Sequence, residues 1–271
     1  MAQEIPKTQL NITRAVKQKL ESLRVAGVSH IPKAKPKPKA DVKVPPAVVK
    51  TPPMVIAGVA DSGLTSRSMP LPLAPTQEPV NPDVSREEAL AEVAKRVAVC
   101  TRCPVLVANR TQTVFGVGNP YSKLVFVGEA PGADEDRQGE PFVGRAGQLL
   151  TDIITKGMRL RREDVYIMNI LRCRPPDNRT PLPMEAANCR EYLDAQLAII
   201  LPQFICCLGA CAAQNLLQVD TTIGKLRGRL IDFNGMKVLC TYHPAYVLRN
   251  PPAKRQVWDD IQVLMTEMGL K

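Results

Sequence analysis

Apolar residues follow two alternating patterns along the chain from Ser85 onward. Four short, continuous apolar runs each have the length of a strand, and longer amphipathic segments separate them. The runs cover residues 124–128, 165–171, 204–208 and 238–242. A run of four to seven apolar residues without polar alternation is typical of a strand that is buried on both faces. We therefore expect four central strands.

The segments between these runs have the spacing of helices. They cover residues 145–158, 184–200, 210–217 and 253–268. A further helix is predicted after Ser85, because Ser-Arg-Glu-Glu is a capping signal that precedes an apolar face at Ala89, Val93 and Val97. Strands that alternate with helices predict an α/β fold. The expected architecture is a three-layer α/β/α sandwich with a central, mainly parallel four-stranded sheet.

The first 84 residues show a different pattern. Residues 9–25 place leucine and valine at near-helical spacing, which predicts a short amphipathic helix within residues 1–30. Residues 31–84 contain 12 prolines and a ladder of lysines at 33, 35, 37 and 39. Alternating lysine and proline favours extended chain, so we interpret this stretch as a disordered linker. A solubilising tether and a nonspecific attraction to phosphate both remain open as its role.

Charge adds little to the argument for an anionic partner. The formal net charge is +10, but residues 1–85 contribute +6 of it. The basic character therefore lies mostly in the tail, and the isoelectric point alone is a poor argument for DNA binding. No apolar run reaches the roughly 18 residues of a membrane helix, and the first 20 residues lack a secretory signal. We expect a cytoplasmic protein that does not contact a membrane.

The first apolar run leads into a turn rich in glycine, proline and carboxylates. Residues 128–136 read Gly-Glu-Ala-Pro-Gly-Ala-Asp-Glu-Asp, and residues 139–147 read Gly-Glu-Pro-Phe-Val-Gly-Arg-Ala-Gly. A phosphate-binding loop is a weak alternative, because the usual glycine and lysine spacings are absent and carboxylates repel phosphate. Phe142 stands in this loop. A core position is the default for phenylalanine, but a Gly/Pro-rich loop beside carboxylates favours a stacking platform for a planar ligand.

Two more polar residues follow apolar runs. Asn169 stands at the end of the strand that the second run predicts, where its side-chain amide offers a donor and an acceptor side by side. Such an amide matches the O4 and N3–H of uracil and mismatches cytosine, although a strand-end cap is the alternative. His243 follows the fourth run, where a donor could stabilise negative charge on a departing base. A lone histidine in a structural role is the alternative there.

The eight cysteines divide into two groups. Cys100 and Cys103 form a Cys-x-x-Cys followed by proline, which is seen at iron–sulfur and zinc sites alike. Cys173 and Cys189 are their best partners, because both stand in polar surroundings. The others lie within apolar strands or the helix after one, where buried thiols are common: Cys206, Cys207, Cys211 and Cys240. Spacing alone leaves both iron–sulfur and zinc open.

Taken together, these motifs resemble the family 4 uracil-DNA glycosylases, which are the iron–sulfur type of bacteria and archaea. Gly-Glu-Ala-Pro-Gly, Pro-Phe-Val-Gly-Arg-Ala-Gly, Asn-x-x-x-Cys-Arg-Pro-Pro-x-Asn-Arg and His-Pro-Ala-Tyr occur in the order and approximate spacing of that family. The resemblance covers roughly residues 86–268. It implies that residues 85–271 form a catalytic domain with a 4Fe–4S cluster on Cys100, Cys103, Cys173 and Cys189. The basic, proline-rich extension before it matches the bacterial type.

The resemblance also implies roles for the residues of the site. Phe142 would stack on a flipped uracil, Asn169 would read its edge and His243 would be the catalytic histidine. Glu129 and Glu135 would line the pocket as catalytic carboxylates. Ala130 would contact the substrate at a position where the best-known uracil glycosylases have an aspartate, so cleavage here is expected to be largely dissociative. DNA contacts are expected from Arg145, Arg174, Arg179, Tyr246 and Arg249, and also from the loop at Arg172.

The implied activity is hydrolysis of the N-glycosidic bond of uracil in DNA, which leaves an abasic site. A noncatalytic DNA-binding or polymerase-associated iron–sulfur module is the main alternative. An electron-transfer protein and a zinc-dependent nucleic-acid enzyme are two further alternatives. We expect a monomer that binds uracil-containing DNA and uses its N-terminal tail for replication or repair proteins.

Overall fold

The computed structural model describes residues 84–270. The helix predicted within residues 1–30 and most of the linker predicted over 31–84 lie outside the described residues. Within them, no helix combines the length and the apolar character that crossing a membrane would require.

Six strands form one sheet. They are β1 (Val117–Gly118), β2 (Leu124–Gly128), β3 (Tyr166–Asn169), β4 (Phe204–Leu208), β5 (Leu230–Phe233) and β6 (Met236–Thr241). Their order across the sheet is β1-β3-β2-β4-β6-β5. The four inner strands are parallel, and the two edge strands are antiparallel to their neighbours. The predicted parallel strands are confirmed, but the sheet has two strands more than the four expected.

The two additional strands lack the signal that revealed the inner ones. β1 is only two residues long, and β5 is half-exposed instead of forming a buried apolar run. β5 joins β6 through Asn234 and Gly235, which both have positive φ (48° and 80°). Asn-Gly in this conformation is the preferred two-residue hairpin turn, because its twist matches that of the flanking strands.

Nine α-helices accompany the sheet within residues 84–270. They are α1 (Arg86–Ala98), α2 (Pro104–Asn109), α3 (Ala133–Gln138), α4 (Arg145–Asp152), α5 (Pro183–Ile200), α6 (Ala210–Leu217), α7 (Ile223–Leu226), α8 (Pro244–Arg249) and α9 (Ala253–Glu267). The predicted cap of α1 is confirmed, because the Ser85 hydroxyl accepts from the Glu88 N–H at 3.2 Å. The helix predicted over 145–158 ends earlier, at Asp152, and continues as a π-helical turn over Ile153–Gly157.

The core consists of two apolar clusters, one on each face of the sheet. In β2, Val125 and Val127 belong to the cluster that α1, α5 and α6 cover. Leu124 and Phe126 belong to the other, which α4 and α9 cover. Successive side chains of a strand point to opposite faces, so a continuous apolar strand serves both clusters. The predicted three-layer α/β/α sandwich is confirmed.

Candidate active site

The polar residues predicted to carry the chemistry follow three of the parallel strands. Glu129 comes directly after β2, Asn169 is the last residue of β3, and His243 follows β6. The carboxyl ends of parallel strands meet at one edge of the sheet, where ligands of such folds usually bind. The fold therefore brings together residues that are more than 100 positions apart in sequence.

Asn169 presents an unpaired acceptor at this edge. It is 2% exposed, and its Oδ1 has no hydrogen-bond partner within the part of the chain that the structure describes. A buried amide oxygen without a donor costs about 1–3 kcal/mol, so the arrangement suits a ligand that supplies an N–H. A Cβ placed on Gly128 would lie 2.4 Å from this Oδ1 and 2.5 Å from Cζ of Phe142. Glycine is thus required at 128 for the amide and the ring to meet.

Phe142 forms an aromatic wall beside that amide. Its ring is 6% exposed and lies 5.6 Å from the ring of His243, with 30° between the two planes. The side chain also belongs to the apolar cluster that α4 and α9 cover. The two interpretations of Phe142, a core residue and a stacking surface, therefore describe one side chain at the margin of the core.

Arg162 holds the main chain of Phe142 from one side. Phe142 has φ 57°, a left-handed conformation that is uncommon outside glycine. Arg162 donates to the carbonyl oxygens of Pro141 and Phe142 at 3.0 and 3.1 Å and to the Thr151 hydroxyl at 2.9 Å. Sequence reasoning missed Arg162, because the arginine belongs to a separate turn 20 residues further along the chain.

Glu135 holds the same loop from the other side. Its carboxylate accepts from the backbone N–H groups of Gly132 (3.1 Å), Val143 (3.0 Å) and Gly144 (3.0 Å). These bonds tie the turn after β2 to the loop that carries Phe142. The geometry thus gives Glu135 a positioning role, and both of its oxygens are engaged with backbone donors.

His243 is fixed as a neutral hydrogen-bond donor. It is the N-cap of α8, and its Nδ1 accepts from the Ala245 N–H at 3.1 Å. Burial, with a smaller contribution from the positive charge of Arg249, lowers the pKa of His243 to about 4. With Nδ1 accepting and the ring uncharged, the proton resides on Nε2. Gly209 permits this position, because a Cβ there would lie 3.0 Å from Cβ of His243.

Glu129 also lies at this edge, and among the described residues 84–270 its carboxylate has no hydrogen-bond partner. Burial raises its pKa above the ordinary value of a glutamate. Cys211, near the start of α6, lies close enough that burial together with the charge of Glu129 raises the pKa of its thiol to about 12. Glu129 therefore combines an apolar setting with an unengaged side chain, as expected of a group that acts on a ligand.

The four predicted ligand cysteines line a single cavity. Cys100 and Cys103 lie before α2, Cys173 follows β3 and Cys189 lies on α5. Arg110 donates to Sγ of Cys173 at 3.0 Å, and Asn188 donates to Sγ of Cys103 at 3.5 Å. Sulfur-directed donors of this kind are characteristic of iron–sulfur sites. Among residues 84–270, no group of three or more His, Cys, Asp or Glu side chains is arranged to hold a metal ion.

Residues 115–262 match the family model described as the uracil DNA glycosylase superfamily. The chain belongs to this superfamily. It is 49% identical over 182 residues to the Type-4 uracil-DNA glycosylase of Thermotoga maritima, covering 66% of this chain and 94% of the relative. It is 44% identical over 192 residues to the Type-4 uracil-DNA glycosylase of Archaeoglobus fulgidus, covering 68% and 96%. For that of Saccharolobus solfataricus the identity is 40% over 187 residues, covering 66% and 86%.

The residues expected to contact DNA differ in their exposure to solvent and in their contacts within this superfamily domain. Arg145, Arg174 and Arg249 are exposed or partly exposed, and Tyr246 is 40% exposed with its ring 5.0 Å from that of Tyr242. Arg174 donates to Asn178, which lies in the same loop, at 2.9 Å.

Two arginines close to Cys173 in sequence have partners within the protein, Arg179 near the surface and Arg172 in the interior. Arg179 forms a two-pronged ion pair with the buried Glu185, at 2.6 and 2.8 Å. Arg172 is 1% exposed, so its side chain is not available for the DNA contact that was predicted for its loop, and that prediction now rests on the other residues of the loop. Just before Arg172, the N–H groups of Ile170 and Leu171 donate to the carbonyl oxygens of Gly128 and Glu129, which extends the pairing of β3 with β2.

The other cysteines of this superfamily member behave largely as predicted. Cys206, Cys207 and Cys240 are fully buried within β4 and β6. Cys211 is partly buried, in the helix that follows β4. The structure thus places four of the eight cysteines around one cavity and the other four in strands and a helix, and the assignment of the first four as ligands stays a prediction.

Proposed function

We propose that this chain is a uracil-DNA glycosylase, a hydrolase that cleaves the N-glycosidic bond of uracil in DNA and leaves an abasic site for base excision repair. The similarity to three Type-4 uracil-DNA glycosylases over most of their length supports this activity. The observation that carries it is the buried, unpaired Oδ1 of Asn169 beside the rings of Phe142 and His243.

Base recognition follows from the amide of Asn169. Uracil offers N3–H as a donor and O4 as an acceptor, and the two atoms of one amide complement both. Cytosine has an acceptor at N3 and a donor at N4, so both contacts would be mismatched in a buried site. Each buried group left unpaired costs about 1–3 kcal/mol, which is enough to reject cytosine strongly.

A base within a duplex cannot reach this amide, so the nucleotide must leave the stack. Enzymes that act on a base rotate it into a pocket and hold it by stacking and by hydrogen bonds to its edge. Phe142 provides the stacking surface, and Arg162 and Glu135 hold that surface in place. The cost of extrusion is lowest where the base is already mispaired, as uracil opposite guanine is.

Cleavage is largely dissociative. Nε2–H of the neutral His243 donates to the uracil anion as the glycosidic bond lengthens, and backbone N–H groups of the turn after β2 assist. No side-chain base stands at Ala130, where the methyl group only shapes the wall of the pocket. Glu129 stabilises the positive charge that develops on the sugar, and water adds late. Glu135, which the resemblance made catalytic, acts by positioning the Phe142 loop.

A 4Fe–4S cluster on Cys100, Cys103, Cys173 and Cys189 completes the proposed enzyme. The chemistry of the donor set fits this group, because four thiols line one cavity and two of their sulfurs accept hydrogen bonds, although among residues 84–270 no three of these side chains are already arranged to hold a metal ion. When bound, the group supplies a covalent cross-link between segments that are distant in sequence. Arg110 also links these segments through a bond from its Nη2 to the Cys100 carbonyl at 2.9 Å.

The remaining expectations belong to the same proposal. The exposed basic and aromatic side chains would hold the DNA backbone around the flipped nucleotide: Arg145, Arg174, Tyr246 and Arg249. Arg179 would contribute through the loop that its pairing with Glu185 orders. The enzyme would act as a cytoplasmic monomer, and the basic, proline-rich extension before residue 85 would bind replication or repair proteins.

Excision of uracil by the purified protein tests the activity. The protein with its full iron content should convert a uracil-containing oligonucleotide to an abasic product without added metal and leave the cytosine-containing one intact. Asn169→Ala should lower kcat/KM for uracil roughly 100-fold, because two hydrogen bonds to the base are lost. Release of no uracil by the wild-type protein, despite binding of the same oligonucleotide, would support the noncatalytic module instead.

A further inference from the structure

Arg172 is a fully buried cation without a carboxylate partner. Its side chain is 1% exposed, and within residues 84–270 no aspartate or glutamate forms an ion pair with it. Two other arginines pair with a buried carboxylate, Arg179 with Glu185 and Arg227 with Asp260. Burial of an uncompensated charge is strongly unfavourable, so an anion close to Arg172 is expected.

The guanidinium of Arg172 holds the strand end that carries the base-reading amide. One nitrogen donates to the carbonyl oxygens of Asn169 and Ile170, and another donates to Oε1 of Gln196. Gln196 in turn donates to the Tyr166 hydroxyl at 3.0 Å. These contacts attach the main chain of Asn169 to α5 through side chains that are all buried. Nε of Arg172 has no partner.

The same side chain lines the cysteine cavity. Arg172 borders it together with Cys100, Cys103, Cys173 and Cys189. Arg172 also directly precedes Cys173 in the chain, so its side chain and the cysteine sulfurs border the same small space. Four thiolates around an iron–sulfur cluster carry a net negative charge, and the cavity is where that charge would reside.

We propose that Arg172 is the internal counter-ion of the cluster and a positioning residue for Asn169. This inference rests on the proposed function, since it requires a cluster in the cysteine cavity. The negative charge in the cavity holds the guanidinium in place, and the guanidinium holds the carbonyl oxygens of Asn169 and Ile170. The cysteine site thereby supports base recognition without touching the base.

Three variants of the intact, iron-containing protein test the inference. Arg172→Met removes the charge at similar volume, and Arg172→Lys keeps the charge but not the forked geometry. Arg86→Met is the matched control, because Arg86 also donates to two main-chain carbonyls, of Pro120 and Ile200, but does not border the cysteine cavity. The measurements are iron per chain, the reduction potential of the cluster and kcat/KM for uracil excision.

These measurements should distinguish the effect of the charge of Arg172 from the effect of its forked hydrogen-bonding geometry. Arg172→Met should lose iron or shift the reduction potential downward by at least a tenfold change in the one-electron equilibrium, about 59 mV, because a nearby positive charge favours the reduced cluster. Its kcat/KM should fall at least tenfold. Arg172→Lys should keep both the iron and the potential but still lose activity, and Arg86→Met should match the wild type in all three.

The outcomes distinguish a failure of the cluster proposal from a failure of the counter-ion role of Arg172. A wild-type protein without iron would remove the cluster proposal itself. A wild-type protein with iron, and an Arg172→Met variant that equals it in iron, potential and activity, would overturn the counter-ion role alone. If Arg172→Met fails to fold, Arg172→Lys decides: a shifted potential or unchanged excision in that variant contradicts the inference.

Discussion

At the scale of single residues, the site depends on Phe142, whose backbone has a conformation that any side chain disfavours. Phe142 has φ 57°. A left-handed backbone at a non-glycine residue costs about 1–3 kcal/mol and persists only where the surrounding structure holds it there. Arg162 and Glu135 supply that restraint through four hydrogen bonds to the backbone of residues 141–144. The position of the aromatic ring is therefore set by two charged side chains that do not face the base.

Replacing Arg162 should weaken the hold on uracil more than it weakens the fold. Arg162→Met removes the donors to the carbonyls of Pro141 and Phe142, so the loop should relax and the stacking ring should move. We expect kcat/KM to fall roughly tenfold to 100-fold, mainly through KM, and inhibition by free uracil to weaken in parallel.

The neighbouring arginine provides the control for this change. Arg161 is exposed and pairs only with the exposed Glu163 and Asp164, so Arg161→Met should leave excision unchanged. Arg162→Lys should restore part of the activity, since one ammonium can reach fewer of the acceptors. Equal activity of Arg162→Met and Arg161→Met would show that Phe142 holds its position unaided.

At the scale of elements, the strand ends were predictable and their packing partners were not. Each inner strand contains a short apolar run, so the polar residues at or after the ends of β2, β3 and β6 could be placed at one edge from sequence alone. The contacts of Arg162 and Gln196 were not predicted, because the local sequence of a turn residue or of a mid-helix glutamine does not indicate its tertiary contacts. The Asn234–Gly235 turn did carry a signal, and recognising it would have predicted the hairpin of β5 and β6.

We predict that Gly128, the last residue of β2, cannot be replaced by a residue with a side chain without loss of activity. In Gly128→Ala the added methyl group would lie 2.4 Å from Oδ1 of Asn169 and 2.5 Å from Cζ of Phe142, so the amide, the ring or both must move. Uracil excision should therefore fall at least roughly 100-fold, as measured under single-turnover conditions.

Gly224 is a suitable control for the loss at Gly128. It lies within α7, and a Cβ there would meet no atom within 4 Å. Gly224→Ala should keep full activity and raise the free energy of unfolding by up to about 1 kcal/mol, because alanine favours helix over glycine. An active Gly128→Ala protein would mean that the amide and the ring need not meet over residue 128.

At the scale of the whole molecule, sequence patterns predicted the three-layer sandwich, and they grouped the four cysteines that the structure places around one cavity. They could not predict which residue connects the cysteine cavity to Asn169. Arg172 looks like a loop arginine in sequence, and only the folded chain shows it buried between the cysteine cavity and Asn169. The predictions for residues 1–83 concern a part of the chain that the structure does not describe, and they remain predictions.

Burial of His243 makes the stability of the whole domain depend on pH. Its pKa is about 4 in the folded protein, whereas an unfolded histidine has its ordinary pKa near 6.5. Between these two values the unfolded chain binds a proton that the folded chain excludes, so stability falls as pH falls from about 6.5 to about 4 and is constant above that window. We expect His243 to lower the free energy of unfolding by roughly 2–4 kcal/mol across it.

Comparison with His243→Asn isolates this contribution from other groups. Asparagine can still accept from the Ala245 N–H as an N-cap, but it does not titrate. The raised pKa of Glu129 affects both proteins alike, so the difference between their thermal midpoints at equal iron content should report on His243 alone. That difference should change between pH 6.5 and 4 to the disadvantage of the wild type. A difference that stays constant over this range would mean that His243 protonates in the folded protein as readily as in water, and a neutral Nε2–H donor would then be present only near and above pH 6.5.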